Sequence, residues 1–309
     1  MKFNKYLKLC RKNYNLTQEE LAKKLCCFDD DFIGIDTRTI GRWESAQTKP
    51  SAHREVIIVI FFKTISGHIL SCFHSEDKEN IENEICKLGI KNLIGTSKEH
   101  ILNFPTRAFK VENIVVKHIN SAKDIDRVLR MPYTVIENLT GNVHNLSFEK
   151  LKEWALHPSN LFLLSEYENE FSGILFTLRM KPNIFHKLLN FEFELKKITT
   201  KDFASFDEIG CNFPIIFFAY NEKNSTLLFL RYFAHLIANQ DVIKEVGTIV
   251  LLEGAKNIIQ KMNMKQHKEK KVAQGTLTSY AAPLCDILIN ESMMKIIFQK
   301  EECSQESDF

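Results

Sequence analysis

The first 66 residues place apolar side chains at the three- and four-residue spacing of an α-helix. A helix predicted within residues 2–14 carries four of them on one face: Phe3, Tyr6, Leu7 and Cys10. A second helix has a start signal, because Thr17 is followed three residues later by Glu20, which is the pattern of a capping box. Its predicted apolar face is Leu21, Ala22 and Leu25.

A third helix is predicted to begin at Asp36–Thr37, with Ile40 and Trp43 on its apolar face and Pro50 preventing its continuation. The next predicted helix, Ala52–Ile65, is apolar on nearly every side. We therefore expect it to pack both against the other helices and against the same helix of a second subunit, which favours a homodimer.

From Val111 onwards the pattern changes to alternating or continuous apolar runs. These runs predict seven strands, at Leu161–Ser165, Phe171–Met180, Phe191–Ile198, Phe213–Tyr220, Val246–Leu252, Val272–Tyr280 and Cys285–Asn290. Predicted helices begin at Ser121 and cover Ser147–Leu156, Ser225–Gln240 and Ala255–Met264. The expected protein is thus multi-domain, with an all-α domain at 1–66, a helical connector at 67–110, an α/β mixed-sheet domain at 111–295 and a tail at 296–309.

Composition and charge add few constraints. The chain has 309 residues, 44% hydrophobic content and a net charge of +2, which indicates a globular protein without a global basic field. Residues 1–63 hold twelve Lys/Arg against eight Asp/Glu, so the positive charge is concentrated at the N-terminal end. No apolar run is long enough to span a bilayer, and no signal-peptide pattern is present, so we expect a cytoplasmic protein with no membrane contact.

The eight cysteines and ten histidines form no pattern of metal ligands, and no metal site is predicted. Adjacent Cys26 and Cys27 are interpreted as two small apolar residues that close the second helix. The alternative is a redox-sensitive pair, since exposed thiols near a helix start are activated.

The N-terminal region contains two sequence motifs, Leu16-Thr17-Gln18-Glu19-Glu20-Leu21-Ala22 and Ile40-x-Arg42-Trp43-Glu44. Pro50-Ser51 follows the second motif. Together they resemble the lambda-repressor-like, Xre-type helix-turn-helix family over residues 1–65. Two departures stand out. The loop Cys26–Asp36 is longer than the family's tight turn, and Ala46 stands where the family often has glycine, so a reshaped helix exit is expected.

The resemblance implies that the helix Thr37–Ser45 docks in a major groove of double-stranded DNA. It implies that Thr37, Arg38 and Arg42 face base edges, with an arginine bidentate to guanine as the main specificity contact. The residues expected to hold phosphates are Gln18, Thr39, Gln47 and Lys49.

The order of elements over Asn113–Asn290 resembles the GNAT acyltransferase superfamily, whose glycine-rich loop binds the pyrophosphate of an acyl-CoA. The corresponding loop contains no glycine: Asn221, Glu222, Lys223, Asn224, Ser225 and Thr226. Ile259 stands where the superfamily carries a tyrosine acid, and Phe213–Tyr220 holds no carboxylate base. We therefore expect no catalytic residue and no cofactor, acetyl-CoA being the one cofactor that the resemblance would imply.

The expected function is sequence-specific transcriptional regulation, with a GNAT-like C-terminal domain that senses a ligand, binds a partner or dimerises. Two alternatives stay open at this point. One is an active acyl-CoA-dependent N-acyltransferase tethered to DNA, which acyl-CoA binding would favour. The other is the antitoxin of a toxin–antitoxin pair, which a tight complex with a co-encoded protein would favour.

Overall fold

The computed structural model describes residues 2–70, 77–96, 113–252, 255–256, 259, 262–289, 294 and 297–298. Contacts divide the chain into two compact units. The N-terminal unit contains Met1–Ile101 together with Leu288–Phe309, and the sheet unit contains Leu102–Ile287. Residues 97–110 of the expected connector lie outside the described residues.

The described part of the N-terminal unit contains five α-helices: α1 Phe3–Asn13, α2 Gln18–Phe28, α3 Thr37–Glu44, α4 Ala52–Ser66 and α5 Lys78–Thr96. The capping box predicted at Thr17 is confirmed, since Glu20 N–H donates to the Thr17 hydroxyl and the Glu20 carboxylate accepts from Thr17 N–H. Helices α1 and α2 each pack against α3 and α4. The all-α fold expected for this region is confirmed.

The long loop between α2 and α3 is anchored by the aromatic side chain of Phe32. This residue ends a 3-10 helix, Asp30–Phe32, and its fully buried ring meets Trp43 edge-on with centroids 6.4 Å apart. The Cys26 thiol donates to the Phe32 carbonyl at 2.9 Å, and the Arg54 guanidinium donates to the Asp31 carbonyl at 2.7 Å. The extra loop residues are therefore fixed on the helical core, and Cys26 has a structural contact inside the loop.

The C-terminal end of the chain contributes to the N-terminal unit. The Phe298 ring lies 5.1 Å from both Phe3 and Tyr6 of α1, measured between ring centroids. Met294, Ile297 and Phe298 are buried. Residues 297 and 298 fall in the range 296–309 that we expected to be a tail, and the structure places them in a hydrophobic core instead.

The sheet unit contains a mixed sheet of seven strands in the order β1-β2-β3-β4-β5-β7-β6, in which β4 and β5 are parallel and every other pair is antiparallel. The strands are β1 Ile114–His118, β2 Leu161–Tyr167, β3 Glu170–Met180, β4 Gly210–Ala219, β5 Ile243–Val250, β6 Lys265–Val272 and β7 Gly275–Pro283. The helices are α6 Ala122–Thr140, α7 Phe148–Ala155, α8 Pro182–Leu189, α9 Glu222–Ala238 and the one-turn α10 Leu284–Leu288. The α/β mixed-sheet class predicted for this region is confirmed.

Helices cover both faces of the sheet. Phe162, Ile174 and Phe176 belong to one core with the buried faces of α6, α7 and α8. Leu163 and Leu175 alternate with them along β2 and β3 and are equally buried. They lie on the face where α9 packs against these strands.

Several predicted elements differ in the structure. Phe191–Ile198 is not a strand, because Phe191 takes a left-handed φ of 57° and Leu195–Lys197 forms a 3-10 helix. The segment Cys285–Asn290, predicted as the last strand, instead begins within helix α10. Five residues are too few for a helical period to be recognised in the sequence. The basic stretch Lys265–Lys271 is strand β6, an exposed edge strand without apolar alternation.

Strands β4 and β5 pair only at their first residues, from Gly210–Asn212 to Ile243–Val246. Pro214 lies just beyond this point and has no N–H group to continue the ladder. The Thr248 hydroxyl donates to the Pro214 carbonyl at 2.8 Å instead. The strand ends beyond Pro214 are therefore unpaired with each other, and Ile249 of β5 packs with the α6–α8 core.

Ala46, at the exit of α3, has a φ of 61°, so the chain adopts the family's left-handed exit without glycine. The reshaped exit that we expected is wrong. An L-residue costs about 1–2 kcal/mol in this conformation, whereas glycine costs about 0.5–1 kcal/mol through backbone entropy. We predict that Ala46→Gly raises the free energy of unfolding of the N-terminal unit by about 0.5–1 kcal/mol.

The measurement is urea unfolding of the 5-fluorotryptophan-labelled chain by fluorine NMR. The chain has two tryptophans, and Trp43 reports on the N-terminal unit while Trp154 reports on the sheet unit. Ala22→Gly inside α2 is the matched control and should destabilise the same unit by about 1 kcal/mol or more. A lower midpoint for Ala46→Gly would contradict the strain assigned to Ala46.

Candidate nucleic-acid interface

The start of helix α3 is set by Asp36. Its Oδ1 accepts from Thr39 N–H at 2.8 Å and from the Thr39 hydroxyl at 2.7 Å. These two hydrogen bonds hold the pKa of Asp36 below its usual range, so the cap is a charged carboxylate at the positive end of the helix dipole. The Thr39 hydroxyl, predicted as a phosphate ligand, thus donates its proton within the cap.

Helix α3 has one buried and one exposed face. Ile40, Trp43 and Glu44 are buried. The exposed side chains are Thr37, Arg38, Arg42 and Ser45. Arg38, Arg42 and Ser45 follow each other at four and three residues, which places them on one side of the helix. Within the described part of the chain, neither arginine forms an ion pair, so both guanidinium groups have all their donors available to a partner.

A buried carboxylate fixes α3 against α1 and α2. Glu44 is 8% exposed, and its two oxygens accept from Arg11 Nε at 2.5 Å and Arg11 Nη2 at 3.0 Å. Gln18 Nε2 donates to the same carboxylate at 2.8 Å. The Glu44 carboxylate in turn raises the pKa of Arg11. This bidentate pair with a third donor ties the first residues of α2 and the end of α1 to α3.

The remaining residues predicted to contact DNA have mixed placements. Gln47 and Lys49 are exposed beyond the exit of α3, and Lys49 forms no ion pair with the described residues. Gln18 is half-buried, and its amide is engaged with Glu44 rather than presented to solvent. The structure therefore groups the predicted base-reading residues on α3 and places Lys49 close after it in the chain, whereas Gln18 serves an internal contact.

The residues that sequence reasoning missed are those that act over long separations. Arg11 and Glu44 are 33 residues apart, and no local pattern connects them. Nor did the sequence single out Asp31, whose carboxylate lies 3.2 Å from His53 beside the N-terminal turn of α4. With Asp30 and Asp36 exposed nearby in the chain, the loop preceding α3 carries negative charge.

The candidate cofactor loop of the sheet unit is largely the first turn of α9. The Asn221 side chain accepts from Asn224 N–H at 3.0 Å and so caps the helix itself. The Asn224 oxygen accepts from the hydroxyls of Ser165 and Ser172 at 2.9 and 3.0 Å, and all three side chains are buried. This N-terminus is therefore capped by Asn221 at one N–H and fastened to the β2–β3 hairpin. Ile259 is also buried and offers no proton-transfer group.

The described residues contain no group of three or more His, Cys, Asp or Glu that would hold a metal ion. Among the same residues, no helix has the length and apolar character needed to cross a membrane.

A family profile described as helix-turn-helix matches residues 7–58. No curated protein sequence matches the chain. Similar solved structures include an N-acyl amino acid synthase, FeeM, from uncultured soil microbes, at 9% identity and a TM-score of 0.42, covering 56% of this chain and 93% of that one. An N-acetyltransferase from Staphylococcus aureus Mu50 has 12% identity and a TM-score of 0.39, covering 56% and 99%.

Arabidopsis thaliana NAA60, solved in complex with acetyl-CoA, has 10% identity and a TM-score of 0.40, covering 55% of this chain and 99% of its own. At these low TM-scores the likeness supports no conclusion about activity, substrate or ligand. The mixed sheet is established by its own strand order. The profile match and the α2–α3 geometry identify residues 7–58 as a helix-turn-helix domain of the lambda-repressor-like, Xre type, in a chain that also carries a mixed α/β sheet unit.

Proposed function

We propose that the protein is a sequence-specific DNA-binding transcriptional regulator. The observation that carries this proposal is the exposed face of α3, where Arg38 and Arg42 have no ion pair in the described structure while the opposite face is locked by Glu44. An arginine whose donors are unused and whose helix is held rigidly is suited to bidentate contact with guanine in a major groove. DNA as partner and the free cysteines of the described residues favour a cytoplasmic location.

In this proposal Thr37, Arg38 and Arg42 read base edges, and Lys49 and Gln47 contact phosphates. Thr39 contributes through its backbone and its place in the helix cap. Gln18 reaches a phosphate only by exchanging its bond to Glu44, so we assign it the smallest effect among the predicted contacts.

The sheet unit supplies regulation through a ligand, a partner or dimerisation. Acyl transfer has less support, because the first turn of α9 offers a self-made cap and an exposed Glu222 where a pyrophosphate would need several N–H donors. For the antitoxin alternative, the described structure contains no observation in its favour.

The first prediction tests the DNA contacts on a site selected from random DNA by the full chain. Arg38→Ala and Arg42→Ala should each cost about 1–3 kcal/mol of binding free energy and relax the preference at one base pair. Lys49→Ala should weaken all sequences alike and lower the salt slope by about one unit. Fluorescence anisotropy across a salt series measures both quantities.

Lys8→Ala is the control for these variants, because it removes one exposed positive charge from α1 instead of α3. It should leave the base preference unchanged. The docking assignment fails if Arg38→Ala and Arg42→Ala both keep the affinity and the base preference of the unmodified chain.

The second prediction concerns assembly. One helix-turn-helix reads about half of a site, so we expect a homodimer on a pseudo-palindrome with half-sites about 34 Å or a multiple apart. Of the apolar α4 residues that suggested its use as the interface, Ile57, Val59 and Phe61 are buried within the chain, whereas Val56 and Ile60 are half-buried. Much of the apolar surface of α4 is therefore already used within the chain. Light scattering would disprove the dimer if it gave the mass of a single chain both for the free protein and for the protein on DNA.

The third prediction concerns acetyl-CoA. The dipole at the start of α9 favours an anion by about 0.3–1 kcal/mol, far from the roughly 8 kcal/mol of micromolar binding. We expect a dissociation constant no better than high micromolar and no transfer to amines. Calorimetry with acetyl-CoA and a thiol-release assay on small amines and on the protein itself measure both. Micromolar affinity with steady thiol release would establish the acyltransferase alternative.

A further inference from the structure

The sheet unit contains a half-open cavity of about 120 Å³, formed where three segments of its described residues meet. The segments are the α6–α7 loop, the turn after α8 and the edge hairpin β6–β7, with Ile249 of β5 at the base. The lining residues are Val143, His144, Asn145, Phe191, Phe193, Glu194, Leu195, Ile249, Lys270, Val272 and Leu277. Seven of these are apolar, so the cavity offers a hydrophobic body with a few polar groups, as small-molecule sites do.

Hydrogen bonds hold the three walls in place. In the α6–α7 loop, Leu146 N–H donates to the Asn142 side chain at 3.0 Å, which fixes the turn that carries His144. On the edge hairpin, the His267 ring lies 2.9 Å from the Asn190 side-chain oxygen at the end of α8. The Ser279 hydroxyl of β7 donates to the Leu189 carbonyl at 2.8 Å. The cavity is therefore preformed rather than assembled from independent surface loops.

His144 is the polar group that the fold leaves unused. Its ring nitrogens make no hydrogen bond to any described residue, and the residue is half-buried. Burial lowers the pKa of His144 to about 4, so the imidazole is neutral at neutral pH and offers one donor and one acceptor. An unpartnered polar group facing a cavity is satisfied by water or by a ligand.

The charge of the cavity is positive. Glu194 is already neutralised, since its two oxygens lie 2.9 Å from Lys196 Nζ and 3.1 Å from Lys197 Nζ. Lys270 forms no ion pair with the described residues, and neighbouring Lys268 and Lys271 on β6 have none either. The Lys270 ammonium group, which lines the cavity, is therefore available to a ligand. The positive charge of the neighbouring lysines favours a ligand that carries negative charge.

Phe191 adds backbone strain to one wall. Its φ of 57° is costly for an aromatic residue, and glycine is usual at such a helix exit. Strain of this kind persists where the surrounding structure imposes it, and it concentrates at ligand sites. Both Phe191 and the nearby Phe193 line the cavity.

We propose that this cavity binds a small organic monoanion with an apolar body of ring size, with its carboxylate at Lys270 and a hydrogen bond to His144. A dry cavity of about 150 Å³ accepts benzene, so a comparable volume with an open mouth accommodates a benzoate-sized molecule whose charged end stays at the rim. The effector role of this anion rests on the proposed regulatory function, whereas its chemistry rests on the cavity alone.

The test is calorimetry on the full chain with sodium benzoate and with benzamide, which has the same shape and no charge. Benzoate should bind about 5- to 20-fold more tightly than benzamide, as expected for one charge-assisted hydrogen bond. Lys270→Met should abolish this preference and leave benzamide unchanged. Lys271→Met, one residue along β6 and outside the lining, is the matched control and should leave both affinities unchanged.

Leu277→Trp fills the cavity and should prevent binding of both compounds while the sheet unit keeps its unfolding midpoint. The proposal is overturned by equal affinity for the two compounds, by no heat from either at millimolar concentration, or by an equal effect of Lys271→Met. DNA affinity measured with and without benzoate separates the two claims. Benzoate binding with unchanged DNA affinity would reject the effector role. Unchanged DNA affinity and base preference in both Arg38→Ala and Arg42→Ala would reject the regulator independently of the cavity.

Discussion

The buried carboxylate of Glu44 is the interaction on which the DNA-binding unit depends. An ionised group withdrawn from water is costly unless its oxygens are paired, and here Arg11 and Gln18 supply three donors from α1 and α2. Because the apolar faces of short helices tolerate small shifts, packing alone would fix the angle of α3 less closely than these directed bonds. The orientation of α3, and with it the direction of its exposed arginines, is therefore fixed by the Glu44 ion pair as well as by hydrophobic packing.

Aromatic residues from distant parts of the chain complete the core of the same helical unit. Phe32 allows a long and acidic loop to end in the core, because its ring fills the space beside Trp43. Phe298, from the other end of the sequence, packs its ring against Phe3 and Tyr6 of α1. The helix-turn-helix unit is thus completed by the C-terminal segment, and removal of that segment exposes the aromatic face of α1.

In the sheet unit, local contacts determine the structure at the ends of the strands. Asn224, bonded to two buried serines, fastens the start of α9 to the β2–β3 hairpin. Pro214 ends the pairing of β4 with β5, and the separated end of β5 contributes Ile249 to the cavity. An apolar-walled cavity that is also lined by Lys270 lies at the edge hairpin.

The sequence by itself determined the elements whose signals are local: the Thr17 capping box, the apolar face of α3 with its exposed arginines, and the long apolar run of strand β3. It failed at Phe191–Ile198 and at β6, because a left-handed residue and an exposed edge strand leave no periodic pattern. Only the tertiary structure decided the Arg11–Glu44 pair, the place of Phe298 and the meeting of His144 with Lys270 around one cavity. These contacts join residues far apart in the chain, so they depend on how the elements pack and not on the period within any of them.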